Sequence, residues 1–330
     1  MHVHPTIDVI IPNYNGVALL PTCLAALRTQ TRTDFKVTVV DDGSSDASLA
    51  LLAADYPEVQ VLALPRNRGL AAAVNAGLAA THAPYVVLLN NDTEATAGWL
   101  AALVGALDRH ERYAFAASKL RLFTRRDCLH SAGDFYQLSG EPGSRGVWAR
   151  DVGQFDALSE VFGPCAGAAA YRRTALMQLA EDGRVFDEDL GMYCEDVDLN
   201  LRARRQGLRT LFVPTALVYH RLSATGGGAL ASYYCGRNFA LVWVKNMPSP
   251  LARRHWWRLL ASQLGFAFHS LRHLREPAAR ARLRGQLAAL RALPRFLHKR
   301  RLSPRPTVNA VDFALTFRLG LDPKTYDRVQ

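Results

Sequence analysis

Tyr85-Val86-Val87-Leu88-Leu89-Asn90-Asn91-Asp92-Thr93-Glu94 is the stretch from which the fold is read. Tyr85 to Leu89 are apolar or aromatic, the pattern of a strand buried on both faces of a parallel sheet. The polar run Asn90–Glu94 falls where that strand ends. Open α/β sheets bind ligands just beyond the carboxyl ends of their strands. A carboxylate flanked by amide and hydroxyl oxygens offers the hard ligands that Mg²⁺ or Mn²⁺ prefers, and such a cation completes its shell with phosphate oxygens. The same residues also suit a solvated turn, with Asp92 or Thr93 as N-cap of the following helix.

Upstream, the pattern repeats. Asp8–Pro12 reads as a short buried strand, followed by the loop Asn13–Gly16 and a helix over 17–30 with Leu20, Leu24 and Leu27 on one face. Lys36–Val40 is a second strand, ending in Asp41-Asp42-Gly43-Ser44-Ser45-Asp46, and a helix then runs to Asp55. Val59–Leu64 is a third strand, and Arg66-Asn67-Arg68-Gly69 leads into a helix bearing Leu70, Val74 and Leu78. This alternation predicts an α/β fold with a parallel sheet covered on both faces. Right-handed crossovers then bring Asn13–Asn15, Asp41–Asp46, Arg66–Gly69 and Asn90–Glu94 to one edge. Carboxylates there can accept hydrogen bonds from a base or ribose, and arginines can pair with phosphate as planar forks. No Gly-x-Gly-x-x-Gly follows the first strand and no Walker lysine is present, so this is neither a dinucleotide nor a P-loop cradle. A bound nucleotide would need a divalent cation and basic side chains for its diphosphate.

Downstream, Thr96–His110 reads as a helix and Ala114–Leu120 as a strand. Residues 124–165 are glycine-rich and lack periodic apolar positions, as in an irregular insertion. Pro164–Ala170 is a run of small residues that lets backbone approach a ligand or another element closely. In Phe186-Asp187-Glu188-Asp189-Leu190-Gly191-Met192-Tyr193-Cys194-Glu195-Asp196-Val197-Asp198 a helix should start near Glu195, run to about Gln206 and stop at Gly207. Acids favour a helix N-terminus, and Asp198 can pair with Arg202 one turn on. Arg209–Val213 and Ala216–Tyr219 read as extended segments leading to His220 and the loop Ser223–Gly228.

The chain of 330 residues carries 49% apolar and 21% charged residues, an ordinary globular balance. Its five cysteines are scattered without a Cys-x-x-Cys pair, which fits a reducing cytosol and neither a zinc site nor a disulfide framework. The start at Met1 has no apolar signal region, and no run of 18 apolar residues suggests a membrane span. The net charge of +11 is uneven: fourteen Lys or Arg against Glu276 alone give residues 251–306 a charge of +13, leaving −2 for the rest. There Arg253, Arg254, Trp256, Trp257 and Arg258 mix cations with interfacial aromatics, which suits an anionic membrane surface, where each basic residue contributes about 1 kcal/mol. A helical region with a solvated basic face is the other reading. No nucleic-acid recognition module is visible.

Val9-Ile10-Ile11-Pro12-Asn13-Tyr14-Asn15, Val39-Val40-Asp41-Asp42-Gly43-Ser44-Ser45-Asp46, Asn67-Arg68-Gly69 with Asn75-Ala76-Gly77, and Leu88–Thr93 together resemble family 2 glycosyltransferases, with rhamnosyltransferase-like members nearest in wording. The resemblance covers roughly residues 7–245. It implies a GT-A fold: a Rossmann-like, mostly parallel central sheet with helices on both faces, here with a basic helical C-terminal region. It implies a catalytic domain over 1–247, with a nucleotide-sugar half to about 120 and an acceptor half over 121–247; residues 248–330 are read from their own composition as a basic, largely helical region suited to attachment at a membrane surface. A nucleotide-sugar donor, dTDP-rhamnose or a UDP-sugar, would be held by Pro12, Tyr14, Asn15, Asp41, Asp42, Arg66, Asn67, Gly69, Asn75, Asn91 and Arg237, with Asp41 or Asp42 near the base. Mg²⁺ or Mn²⁺ would be held by Asp92 with help from His220. Asn90 departs from the family's Asp-x-Asp, leaving Asp92 as the matched acid and Glu94 as a weaker candidate. Asp196 would be the general base on an acceptor hydroxyl, with Glu195 as fallback, in a single inverting step; a helix N-terminus would keep Asp196 ionised. Ser223–Gly228 would suit a loop closing over the donor. The implied setting is cell-surface polysaccharide synthesis, on a glycan or lipid-linked acceptor, at the cytoplasmic face of the membrane and without nucleic acid; the oligomeric state stays open. The alternatives are an inactive nucleotide- or glycan-binding protein, which Asn90 keeps open, and a sugar-phosphate nucleotidyltransferase, which would want a Gly-rich basic loop where Pro12–Asn15 stands.

Overall fold

The computed structural model describes residues 5–157, 159–221 and 227–319. The first half alternates β1 (Ile7–Asn13), α1 (Leu20–Arg28), β2 (Phe35–Asp41), α2 (Ser48–Asp55), β3 (Gln60–Ala63), α3 (Leu70–Ala79) and β4 (Tyr85–Leu89). The strands lie parallel in the order β3-β2-β1-β4. The chain therefore builds outward from β1 and then returns to its other side, so the crevice between the ends of β1 and β4 is a topological switch point. Successive strand residues face opposite layers. Val9, Ile11, Val87 and Leu89 enter one core with Leu24, Leu27 and Trp99, while Ile10, Val86 and Leu88 enter the other with Val74, Leu78 and Leu199.

The second half contributes β5 (Thr93–Ala95), α4 (Trp99–Arg109), β6 (Phe115–Leu122), β7 (Leu129–Ser131), β8 (Asp134–Tyr136), β9 (Pro142–Ser144), β10 (Ser159–Val161), β11 (Ala168–Arg172), α5 (Arg173–Gln178), α6 (Glu195–Arg205) and β12 (Thr210–His220). Four features differ from the reading of the sequence. Thr93–Ala95 is not a helix cap but a strand paired antiparallel with the end of β12, His220 opposite Thr93. The small-residue run holds β11, which inserts antiparallel between β4 and β6 and makes the sheet mixed. Arg209–Val213 and Ala216–Tyr219 are one strand, irregular between Val213 and Leu217, where Pro214 has no N–H to give the ladder. The stretch 124–165 is not structureless: it carries β7 to β10.

The chain closes with α7 (Gly228–Asn246), α8 (Ser249–Arg272), α9 (Pro277–Leu302) and α10 (Ala310–Thr316). These helices share a third core with α6, built from Leu201, Leu241, Trp243, Phe296, Phe313 and Phe317. The α7 and α9 backbones nearly touch: a Cβ on Gly285 would stand 2.1 Å from the Tyr233 carbonyl oxygen, so only glycine permits this crossing. No described helix is long and apolar enough to cross a membrane. Residues 223–226 of the expected closing loop, and 320–330 of the terminal segment, lie outside the described residues.

Candidate active site

The loops beyond β1, β2 and β4 are tied together before any ligand is considered. Asn13 donates from Nδ2 to Asp41 Oδ1 (2.9 Å) and accepts at Oδ1 from Asn91 Nδ2 (2.7 Å), bridging all three strand ends. Asp41 also accepts from the Ser44 hydroxyl (2.6 Å) and amide (2.9 Å). Asp42 accepts from the amides of Arg68 (2.9 Å) and Gly69 (2.8 Å), which fixes the third loop to the second. Gly43 has φ +70° and packs on the Arg66 backbone, where a Cβ would come within 2.6 Å. A side chain at position 43 would thus meet both strain and a clash.

A cavity of about 680 Å³ opens above these loops, walled on the far side by Gly191, Met192 and Tyr234. Of the residues expected around a donor, Pro12, Tyr14, Asn15, Asp42, Asn67, Gly69 and Asn91 line it, together with Asp92, expected as a cation ligand. Tyr14 is 45% exposed, so a ring face is open for stacking. Asp41, Arg66, Asn75 and Arg237 do not line it, each for a visible reason. Asp41 is fully buried and spent on Asn13 and Ser44. The Arg66 backbone is the floor under Gly43. Asn75 accepts from the amides of Val185 (3.2 Å) and Phe186 (2.9 Å) and donates to the Phe186 carbonyl (2.9 Å), pinning the chain ahead of Glu195. Arg237 donates to Asn238 Oδ1 (2.7 Å).

A second cavity of about 250 Å³ adjoins the first, sharing Pro12, Leu70, Asn90, Asp92 and Met192 as walls. It is lined by His130, Glu195, Asp196 and His220 as well. The ladder between β5 and β12 sets His220 beside Asp92, with Nε2 3.0 Å from Oδ1. That Asp92 oxygen is buried and makes no regular hydrogen bond. Two neighbouring ligands of an octahedral ion, each at about 2.1 Å, lie about 3.0 Å apart, so the pair has the spacing of two such ligands. The carboxylate oxygen, with phosphate completing the shell, fits Mn²⁺ or Mg²⁺, and the imidazole nitrogen beside it suits Mn²⁺ better than Mg²⁺. Glu94 is turned away into a two-pronged pair with Arg126 (3.0 and 2.6 Å), and Asn90 Nδ2 packs toward Gly167. His130, which no spacing in the sequence marks, sits behind His220 with Nδ1 to Nδ1 at 3.0 Å. Burial pushes His130 down to about 3.

Glu195 and Asp196 open α6. The two residues before them, Tyr193 and Cys194, both have positive φ (62° and 68°), a tight entry into the helix. Asn238 holds that entry in place, its Nδ2 donating to the carbonyls of Leu190 (3.0 Å), Met192 (3.0 Å) and Tyr193 (2.8 Å). Deeper in, Lys245 is fully buried and meets Glu181 (2.9 Å), Asp187 (2.9 Å) and Asp198 (3.0 Å). Asp198 also takes Arg202 (2.8 Å) and Asn246 (2.7 Å), and Lys245 and Arg202 hold its carboxyl well below the usual range against burial. From α9, Lys299 reaches both Asp187 and Asp189, and Arg295 reaches Asp189 (2.5 Å).

The expected helix-end lowering of Asp196 is overturned by burial. Loss of water raises its carboxyl above the ordinary range, although the amides of Val197 (2.8 Å) and Ala166 (3.3 Å) pull it back. Burial, then the Asp196 charge, lifts Glu195 to about 8, and its Oε2 is left without a hydrogen-bond partner. Asp134 is a third acid here, missed in the sequence. Burial and the neighbouring Asp196 raise it to about 7, while the hydroxyls of Ser131 (3.0 Å) and Ser144 (2.8 Å) hold its carboxyl. Ligand atoms of Asp134, Cys165 and Asp196 lie within 4.8 Å of one another. Burial drives the Cys165 thiol upward, so it keeps its proton and makes a poor cation ligand. Of the acids near the cavity, Asp196 keeps backbone N–H donors on its carboxylate, the support an ionised base needs.

The chain matches the family description Glycosyl transferase family 2 over residues 8–179. It is 26% identical over 275 residues to the N-acetylglucosaminyl-diphospho-decaprenol L-rhamnosyltransferase of Mycobacterium tuberculosis (strain ATCC 25618 / H37Rv), covering 76% of this chain and 86% of that protein. It is 30% identical over 224 residues to the pre-mycofactocin glycosyltransferase of the same strain, covering 66% of this chain and 43% of that longer protein. Among solved structures it resembles GalNAc-T7 with UDP, GalNAc and Mn²⁺ (TM-score 0.59, 16% identity, 76% of this chain and 49% of that one). It also resembles the mannosyltransferase PcManGT from Pyrobaculum calidifontis with GDP-Man and Mn²⁺ (TM-score 0.53, 18% identity, 97% and 88%). At these identities the two structures speak for the fold, a GT-A architecture.

Proposed function

This chain belongs to glycosyl transferase family 2, and on that footing we propose that it moves a sugar from a nucleotide-diphosphate donor to an acceptor hydroxyl with inversion. The supporting observation is the continuity of two cavities: one walled by the β1, β2 and β4 loops, the other holding Asp92, His220, Glu195 and Asp196. The donor lies across the first, its base over Tyr14 and beside Asp42. Asp92 and His220 hold Mn²⁺ or Mg²⁺, which when bound offsets the charge of the diphosphate. Asp196 accepts the acceptor's hydroxyl proton as that oxygen forms its bond to the anomeric carbon, while the bond from that carbon to the diphosphate oxygen breaks and its electron pair stays with the diphosphate. Glu195, protonated through neutral pH, donates a hydrogen bond to the acceptor and does not compete as the base. Asp41, Asn75 and Arg237 act from behind the cavity wall by fixing the loops that form it.

The rhamnosyltransferase relative, whose name carries a decaprenol-linked substrate, supports dTDP-rhamnose, with a UDP-sugar second, and a lipid-linked or glycan acceptor in cell-surface polysaccharide synthesis. Residues 1–247 are read as the catalytic domain and 248–330 as its attachment to the cytoplasmic face of the membrane. Trp256, Trp257, Leu260, Leu264, Phe268 and Leu271 are exposed on α8 and, at 100° per residue, share one third of its circumference. Arg253, Arg254, Arg258 and Arg272 are exposed on the same helix, the composition of a helix lying in an anionic headgroup layer. The protein should float with vesicles containing anionic phospholipid and not with zwitterionic ones; Trp257→Ala with Leu264→Ala should release it, and equal flotation would reject this attachment. The enzyme reading is tested by incubating the protein with a panel of nucleotide sugars with and without Mn²⁺, following melting temperature and released nucleotide. One donor should both stabilise the protein and be consumed only with the cation. Binding without turnover on any acceptor would favour the non-catalytic alternative that Asn90 keeps open.

A further inference from the structure

His130 is buried, belongs to β7 and faces the cavity beside His220, with ring centroids 4.8 Å apart. Two imidazole nitrogens 3.0 Å apart are bonded only when one carries the hydrogen and the other the lone pair. The remaining nitrogen of His220, Nε2, is the one that points at Asp92. A nitrogen that gives its lone pair to a cation carries no hydrogen, so a neutral His220 ring in that role has its hydrogen on Nδ1, directed at His130.

We propose that His130 is a positioning residue of the cation site: its Nδ1 accepts from His220 Nδ1–H and thereby fixes which nitrogen of His220 is bare and where it points. This inference rests on reading Asp92 and His220 as the cation's ligands. Histidine ligands of metals ordinarily give their second N–H to a carboxylate or a carbonyl. Among the described residues, the hydrogen-bond partner of His220 Nδ1 is the His130 ring. The need for such a support is local. His220 is the last residue of β12, and position 90 supplies an amide where a second carboxylate would add charge. A site with fewer charges depends more on having its ligands already oriented. His130 is well placed to do this, because β7 is hydrogen-bonded to β6, the strand that also pairs with β12.

The test is Mn²⁺ affinity by electron paramagnetic resonance, which needs no donor, acceptor or turnover. His130→Ala should raise the Kd about 10–100-fold. His130→Asn, whose Oδ1 can accept near the place of the lost Nδ1, should recover most of that loss. In wild-type protein loaded with Mg²⁺, ¹⁵N imidazole shifts should show His220 protonated at Nδ1 and not at Nε2. Unchanged affinity in His130→Ala, equal weakening in both variants, or a bare His220 Nδ1 would overturn the role of His130 while leaving the cation site standing. Mn²⁺ binding that survives both Asp92→Ala and His220→Ala would overturn the site itself, and this inference with it.

Discussion

The two sides of the cleft are held together in different ways. On the donor side, the ties that shape the loops join neighbours in the parallel sheet, Asn13 to Asp41 and Asn91 and Asp42 to Gly69, while Arg68 reaches across the cleft to Glu188. On the acceptor side, the ties reach across the chain: Asn238 to Tyr193, Lys245 to Asp198, Lys299 to Asp187. The loops of the first side are complete by residue 92, and its far wall, with Gly191, Met192 and Tyr234, comes later. The second depends on helices that begin more than a hundred residues later. Changes at Lys245 and Lys299 should therefore disturb the acceptor side more than donor binding.

The largest effect on that contrast comes from Lys245. Lys245→Ala removes the buried cation that Asp187 and Asp198 share and leaves them Lys299 and Arg202, and breaking a buried pair costs about 3–5 kcal/mol at most. Denaturant unfolding reads the loss, and nucleotide binding in the protein that stays folded should change far less than transfer does. Comparable losses in both would erase the distinction drawn between the two sides. Asp134→Asn is subtler. After burial, the Asp196 charge keeps the proton on Asp134 up to about 7, so Asp134 is still neutral where Asp196 titrates and the Asn variant should leave the acid limb of the rate profile in place. A limb that moves to lower pH would show a charge on Asp134 beside the base and contradict that order. Glu195→Gln gives a change of opposite sign, a gain in stability. The Glu195 carboxyl titrates at about 8 in the folded chain against an ordinary 4.5. Between those values the unfolded chain has released the proton and the folded chain has kept it, so wild-type stability falls as pH rises. The Gln variant should match wild type below pH 4.5 and melt progressively higher than wild type up to pH 8. A constant offset across that range would contradict the shift.

The same division explains what the sequence reveals. β1 to β4 are runs rich in apolar residues, broken by Asp8, Lys36 and Thr38, that end in polar loops, a pattern that one stretch of chain carries by itself. β11 escapes notice because Ala168, Ala169 and Ala170 have no strand preference; its place between β4 and β6 is set by the sheet. β5 is three residues long, and only its partner β12 defines it. The pairing of Asp92 with His220 follows the motif resemblance, yet the ladder that delivers it was not legible. His130 and Asp134 lie in a stretch without periodicity, and nothing local distinguishes them from loop residues. The ionisation of Asp196 depends on burial, which is a property of the assembled fold and not of a helix N-terminus. Asp41, Asn75 and Arg237 belong to the matched motifs but stand behind the cavity wall, because a motif records which loops form a site and not which side chains face it.

Donor binding and single-turnover transfer measured together on Asp196→Asn with Mn²⁺ test the central claim most directly. A base on the acceptor side of a continuous cleft predicts a donor Kd close to wild type and a transfer rate lowered about 10²–10⁴-fold. Transfer at the wild-type rate would contradict the account.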